Sequence, residues 1–214
     1  MSHDAFVPSY IVIHTAAYSG RNCDAAKIDQ WHKARGWDGI GYHFVILNDR
    51  HDNKKDGTLE SGRSLSQRGA HTLGLNNRSI GICCVGHGDK EKFTNAQLLT
   101  LLDLVHRLMT DYSIPLNSVI GHREVNDLIS RNKLAAQYKT SKTCPGRLID
   151  MDFIRSFIKT NDKKQAQQLN QTNDEKDNVS EALRVLASNA TLFGNAQDEL
   201  HQFLNHPEVI ERLH

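Results

Sequence analysis

Three side chains widely separated in the sequence have the composition of a metal site. Cys144 lies in the turn-forming run Lys142-Thr143-Cys144-Pro145-Gly146. His14 closes the apolar run Ile11-Val12-Ile13, and His122 sits in Val119-Ile120-Gly121-His122-Arg123-Glu124. Two imidazoles and one thiolate match a catalytic zinc set, which uses three protein ligands and leaves the fourth tetrahedral position to water. The chemistry such a set offers is hydrolysis, and a zinc amide hydrolase is the reading against which the rest of the chain is weighed. Taken singly, each residue has a plainer explanation. Either histidine would serve as a strand-end residue with a satisfied hydrogen bond, and a free cysteine is most often a small buried hydrophobe. Lys142 and Pro145 beside Cys144 favour a loop over a core position.

The elements that must position these residues are legible from periodicity. Tyr10 to His14 is short, β-branched and apolar, a buried strand. A helix is expected from about Asp24 to Arg35, stopped by Gly36, with Ile28, Trp31, His32 and Arg35 near one face. A second strand runs from His43 to Leu47, and the polar loop Asn48 to Gly57 joins it in a hairpin to Thr58-Leu59-Glu60. Ser61 to Asn77 reads as irregular, and Ser79 to Val85 as another strand. Thr94-Asn95-Ala96-Gln97 fits a capping box, followed by a stripe of Leu98, Leu101, Leu102, Val105, Leu108 and Met109 lasting to about Tyr112, which is core packing. Val119-Ile120 is a short strand delivering His122, and Asn126 to Ser141 a longer polar connection with room for one helical turn. Asp150 is placed to cap a last helix carrying Met151, Phe153, Ile154, Phe157 and Ile158. Strands interleaved with helices, and a hairpin among them, predict an α/β domain around a mixed central β-sheet flanked by helices.

Composition then shifts. Residues 161–178 are polar and charged, a linker, and residues 179–214 regain the spacing of short amphipathic helices, too few for an independent core. The expected organisation is a catalytic domain over residues 1–160, the linker, and a small helical C-terminal extension that offers a surface for a protein partner. The 26 basic and 25 acidic residues leave a net charge of +1, which excludes the electrostatic footprint of a nucleic-acid binder. No apolar run is long enough for a membrane span. The opening Met1-Ser2-His3-Asp4 has neither a basic nor an apolar region of the signal-peptide kind, so synthesis in the cytoplasm without a signal peptide is the expectation. Four cysteines in a chain of this length do not form a disulfide scaffold; Cys23, Cys83 and Cys84 are expected to be inert, the last two on opposite faces of one strand.

Six blocks in order carry a resemblance. They are Tyr10–Thr15, Gly41-Tyr42-His43-Phe44-Val45-Ile46, Gly69-Ala70-His71-Thr72-Leu73-Gly74, Asn77-Arg78-Ser79-Ile80-Gly81-Ile82, Gly121-His122-Arg123-Glu124 and Lys142–Gly146. Over roughly residues 8–160 the chain resembles the N-acetylmuramoyl-L-alanine amidase family that includes the T7-type phage lysozymes and the peptidoglycan recognition proteins. The resemblance implies hydrolysis of the amide joining the lactyl group of N-acetylmuramic acid to L-alanine of the stem peptide. It places the Zn²⁺ ligands on His14, His122 and Cys144 and the catalytic Tyr and Lys on Tyr42 and Lys142. Without it, Tyr42 reads as a core aromatic and Lys142 as a solvated surface charge. His71 and Asn77, in glycine-rich irregular chain, are candidates for lining a sugar or peptide groove; His43 is structural.

The connection from Glu124 to Lys142 and the loop Asn48 to Gly57 are longer than in the short phage lysozymes, so both bear on the shape of the substrate groove. The related cytosolic recycling amidases use Asp as third ligand, and Cys144 favours the lysozyme-like branch. The resulting expectation is a phage endolysin or an exported cell-wall-lytic effector acting on peptidoglycan. The alternatives are a cytosolic muropeptide-recycling amidase and a non-catalytic peptidoglycan-binding module, which typically lacks the metal-binding cysteine.

Overall fold

A computed structural model describes residues 6–159. The expected linker and amphipathic tail at 161–214 lie outside the described residues. The compact unit that carries the described elements ends at Ile158.

Five strands form one sheet: β1 (Tyr10–Thr15), β2 (Phe44–Ile46), β3 (Leu59–Ser61), β4 (Ser79–Cys84) and β5 (Val119–Gly121), in the order β3-β2-β4-β1-β5. β1 is parallel to β4 and β5, β2 is parallel to β4, and β3 returns antiparallel as the edge. The sheet is therefore mixed, with a parallel centre and the expected hairpin at one side. Its strand faces separate by the period-two rule. Ile11, Ile13, Ile46, Ile80, Ile82 and Cys84 turn toward the helix α2 (Asn95–Tyr112) and the last of the described helices, α4 (residues 151–159), which contribute Leu101, Val105, Leu108, Met151, Ile154 and Ile158 to one cluster. On the other face, Val45, Cys83 and Val85 pack with Ile28 of α1 (Ala25–Lys33), and Val12 and Ile120 pack with Val125 and Leu128 of α3 (Val125–Ser130). Cys83 and Cys84 accordingly fall in different clusters.

The helix ends form where local chemistry satisfies them. Asp24 accepts from the Lys27 backbone N–H at 2.8 Å and starts α1. The Thr94 hydroxyl and the Gln97 side chain satisfy each other's backbone N–H at the start of α2, a box worth about 1 kcal/mol. Asp150 Oδ1 accepts from the backbone N–H of Asp152 and Phe153 at the start of α4. Beyond its cap role, Gln97 reaches into the sheet, its Nε2 donating to the carbonyls of Ile46 and Val85 at 3.0 and 2.8 Å. The first turn of α2 is thereby fixed to the ends of β2 and β4.

Two segments differ from expectation. The connection after Glu124 begins with a true helix, α3, whose six residues are too few to show periodicity in sequence. The loop 48–57 does not face the groove described below. Lys54 Nζ bridges Asp24 and Glu60 at 2.7 and 2.5 Å, and Asp56 accepts from the Thr94 hydroxyl at 2.7 Å. The insertion ties the hairpin to the starts of α1 and α2, so its polar residues serve packing between elements.

Candidate active site

Parallel strands deliver both histidines to the same place. Val12 and Ile120 share one cluster, so His14 and His122, two residues further along β1 and beyond β5, emerge on that same face at the carboxyl ends of adjacent strands. Ligand sites in open α/β sheets form at this edge. The two imidazoles meet edge to face with ring centroids 4.8 Å apart. Cys144 arrives from the loop before α4, with its Sγ 3.5 Å from His14 Nδ1. The ligand atoms of His14, His122 and Cys144 lie within 4.8 Å of one another, a group that could hold a metal ion.

The donor set and spacing fit zinc. Zn–S of about 2.3 Å and Zn–N of about 2.0 Å put sulfur and nitrogen ligands of one tetrahedral ion about 3.5 Å apart, which the separation of Cys144 Sγ and His14 Nδ1 matches. Burial, then the electrostatic influence of its His71, His122 and Lys142 neighbours, holds His14 well below the ordinary histidine value. Burial, with Lys142, takes His122 down to about 4. Both rings are neutral at neutral pH and offer a lone pair. Burial pushes the Cys144 thiol up to about 11, while a hydrogen bond from the Thr15 backbone and the charges of Lys142 and Arg123 act to support its anion. A bound cation would overcome that burial and ionise the thiol outright.

The cysteine loop is held by contacts that sequence reasoning missed. Arg123, beside His122, donates from its guanidinium to the carbonyls of Gly146 at 2.5 Å and Ile149 at 2.7 Å, and its backbone N–H donates to the Cys144 carbonyl at 2.7 Å. From the other side, Asp89 accepts from the Thr143 hydroxyl and the Arg147 backbone N–H, each at 2.7 Å. Gly88 and Gly146 make this approach possible, because a Cβ on either would overlap the backbone of the opposite loop. Glu124 accepts from the Gly121 N–H at 2.8 Å and pairs through both oxygens with Arg155 of α4, fixing the 3-10 turn His122–Glu124. Apart from the local bond of Glu124 to Gly121, these contacts span gaps in sequence with no local pattern to announce them, so only the triplet His122-Arg123-Glu124 offered a signal.

Tyr42 packs beside this group, its ring centroid 5.0 Å from that of His14. Burial, then the nearby Cys83 and Cys144 sulfurs, keeps its phenol well above the ordinary value, so it stays a hydrogen-bond donor. Lys142 is exposed, and its charge acts on both histidines and on Cys144. An open groove joins Lys142 and His122 to Trp37, Leu73, Asn76 and Tyr138. Trp37 is 41% and Leu73 70% exposed, an apolar rim open to solvent. Tyr138 comes from the long connection after Glu124 and lies against Gly74, so this insertion does form a groove wall. His71 lies at the groove floor beside His14. Asn77 is exposed and outside the groove lining; its neighbour Asn76 lines the groove and accepts from the backbone N–H of His71 and Thr72. His43 is a structural residue, accepting from the Gly81 N–H and facing the Gln67 carbonyl.

Comparison with known proteins places this geometry. Residues 4–147 match the family model described as N-acetylmuramoyl-L-alanine amidase. The endolysin of Escherichia phage T7 is 41% identical over 108 residues, covering 48% of this chain and 67% of the phage protein. The solved N-acetylmuramoyl-L-alanine amidase LysC from Clostridium intestinale superposes with a TM-score of 0.57 at 33% identity, over 73% of this chain and 87% of that one. A Drosophila peptidoglycan recognition protein, PGRP-LB, solved as a point mutant in complex with tracheal cytotoxin, shares the fold at 22% identity and a TM-score of 0.53, over 70% of this chain and 83% of that one. None of the described helices is long and apolar enough to cross a membrane. With the family model covering more than half of its length, the chain belongs to the N-acetylmuramoyl-L-alanine amidase family.

Proposed function

We propose that the chain is a zinc-dependent, endolysin-like amidase that hydrolyses the bond between the lactyl group of N-acetylmuramic acid and L-alanine in peptidoglycan. The observation that carries this reading is the convergence of His14, His122 and Cys144 from three separate segments onto one small volume at the end of the groove. His14 Nδ1, His122 and Cys144 Sγ would hold the ion, which when bound supplies a Lewis acid and a water acidic enough to ionise near pH 7.

The remaining work falls to this chain's own residues. Tyr42, a phenol at every pH of interest, donates a hydrogen bond toward the carbonyl oxygen as negative charge develops there. Lys142 adds a positive charge at the mouth of the site, and the two act as donors aimed at charge that appears only in the transition state. The groove between Trp37, Leu73 and Tyr138 holds the glycopeptide on either side of the scissile bond. Water adds across the amide, its oxygen to the carbonyl carbon and its proton to the departing L-alanine nitrogen. A site complete in all three ligands, Tyr42 and Lys142 supports catalysis over a purely binding role. Residues 1–160 form the catalytic domain in this reading, and residues 179–214 serve assembly or binding through a protein partner.

Muropeptide release from purified sacculi, read by mass spectrometry, tests this. Free stem peptides beginning with L-alanine, lost with a chelator and regained with zinc, are expected. Muramoyl-peptides left intact under all conditions would contradict it.

A further inference from the structure

His71 sits where a substrate contact was expected, yet its ring nitrogens are directed into the protein. Its Nδ1 lies 3.0 Å from His14 Nε2 and 3.0 Å from the Thr72 hydroxyl, which is itself 3.3 Å from His14 Nε2. Its Nε2 faces the Ser79 carbonyl at 3.4 Å. A carbonyl accepts only, so His71 carries its proton on Nε2 and leaves Nδ1 as an acceptor. That acceptor can take the N–H of His14 Nε2, directly or through the Thr72 hydroxyl, and either route leaves His14 Nδ1 bare. Nδ1 is the atom of His14 that faces Cys144 Sγ at 3.5 Å.

The ring is also built in. A Cβ on Gly69 or on Gly81 would overlap the His71 imidazole, so the slot exists because both positions lack a side chain. Asn76 Oδ1 fixes the backbone at both His71 and Thr72, accepting at 2.8 and 2.7 Å. Thr72 and His14 are each only 1% exposed. A histidine used only as apolar filling would not need an acceptor carbonyl on one nitrogen and a ligand imidazole on the other.

We infer that His71 is the positioning residue for the metal ligand His14: the relay His14 Nε2–H to His71 Nδ1, then His71 Nε2–H to the Ser79 carbonyl, sets the tautomer and ring orientation that present His14 Nδ1 to the ion. The inference rests on the zinc reading above and deepens it. Ligand histidines generally donate their second N–H to an acceptor that fixes them, and loss of that partner weakens metal binding about 10–100-fold. Here the acceptor is a neutral imidazole, whose own tautomer is dictated by one backbone carbonyl.

The tautomers themselves can be read in the wild-type protein by two-bond ¹H–¹⁵N correlation spectroscopy, with and without zinc. Nε2-protonated His71 with a bare Nδ1, and an N–H on His14 Nε2, are expected in both; a proton on His71 Nδ1 would overturn the relay. Zinc affinity measured by competition with a chromophoric chelator gives the energetic test. His71→Leu should weaken it about 10–100-fold. His71→Asn, which keeps an acceptor near the Nδ1 position, should recover most of the loss, and His71→Gln, whose acceptor lies near Nε2, should not. Wild-type affinity in His71→Leu, or equal affinity in the Asn and Gln variants, would overturn the inference. Failure of the wild-type protein to bind zinc would instead sink the metal reading, leaving the metal-free spectrum to judge the relay alone.

Discussion

The candidate metal-ligand group is assembled from two kinds of structure, and they are held in different ways. His14 stands on β1 and His122 in the turn directly after the adjacent parallel strand β5, where the register Ile13 opposite Gly121 sets their height. Cys144 stands on a loop with no sheet partner, placed by the Arg123 guanidinium, the Asp89 carboxylate and the contact between Gly88 and Gly146. Hydrophobic burial that stabilises the whole sheet fixes the histidines at no additional cost. The cysteine depends on a few charge-assisted hydrogen bonds, from Arg123 to backbone carbonyls and to Asp89 from Thr143 and Arg147. Two of the candidate ligands are thus properties of the fold, and the third is a property of the clamp.

The comparison breaks most completely at the cysteine itself. Cys144→Ser should abolish lytic activity and stoichiometric zinc binding while leaving the circular dichroism spectrum unchanged, since Cys144 belongs to none of the core clusters. Full lytic activity in that variant would refute the ligand assignment. On the strand side, Tyr42→Phe should retain zinc and lose about 10²–10³-fold in kcat, as expected for one transition-state donor; turnover assays paired with metal analysis check both halves. Arg123→Met sharpens the contrast. It should weaken zinc affinity about 10–100-fold, as loss of an outer positioning group does, with the sheet intact by hydrogen exchange. An unchanged affinity would mean that the loop holds its shape without the clamp.

The smallest effect concerns acid. Burial is the leading cause that holds His14, His32, His43, His71 and His122 below the ordinary histidine value. Below about pH 6.5 the unfolded chain then binds more protons than the folded one. Stability from these residues is complete above that pH and is lost as the pH falls toward the folded values. A histidine that stays neutral in the fold contributes at most about 1.4 kcal/mol per pH unit over that window. The metal-free protein should therefore melt at a lower temperature at pH 5 than at pH 7, and equal melting temperatures would contradict the neutral buried histidines.

What the sequence disclosed follows the same division. β1 was readable because an apolar β-branched run ends in a polar residue, and α2 because Thr94 and Gln97 form a cap ahead of a long stripe. His14 and His122 inherit their places from such local patterns. The Arg123 clamp was not readable, because a guanidinium reaching carbonyls 23 and 26 residues away leaves no periodic trace. Asp89 acts across 54 residues, and nothing near it marks it as a partner of Thr143. The pair Asn76-Asn77 shows the limit at finer scale: one lines the groove and holds the His71 backbone, its neighbour faces solvent, and irregular chain has no period to tell them apart.

X-ray absorption at the zinc edge, on the protein reconstituted with one equivalent of metal, tests the ligand set itself. A four-coordinate ion is expected, with one sulfur at about 2.3 Å and two imidazole nitrogens at about 2.0 Å, the remaining position taken by a light atom. A shell without sulfur, or a protein that does not retain zinc, would contradict it.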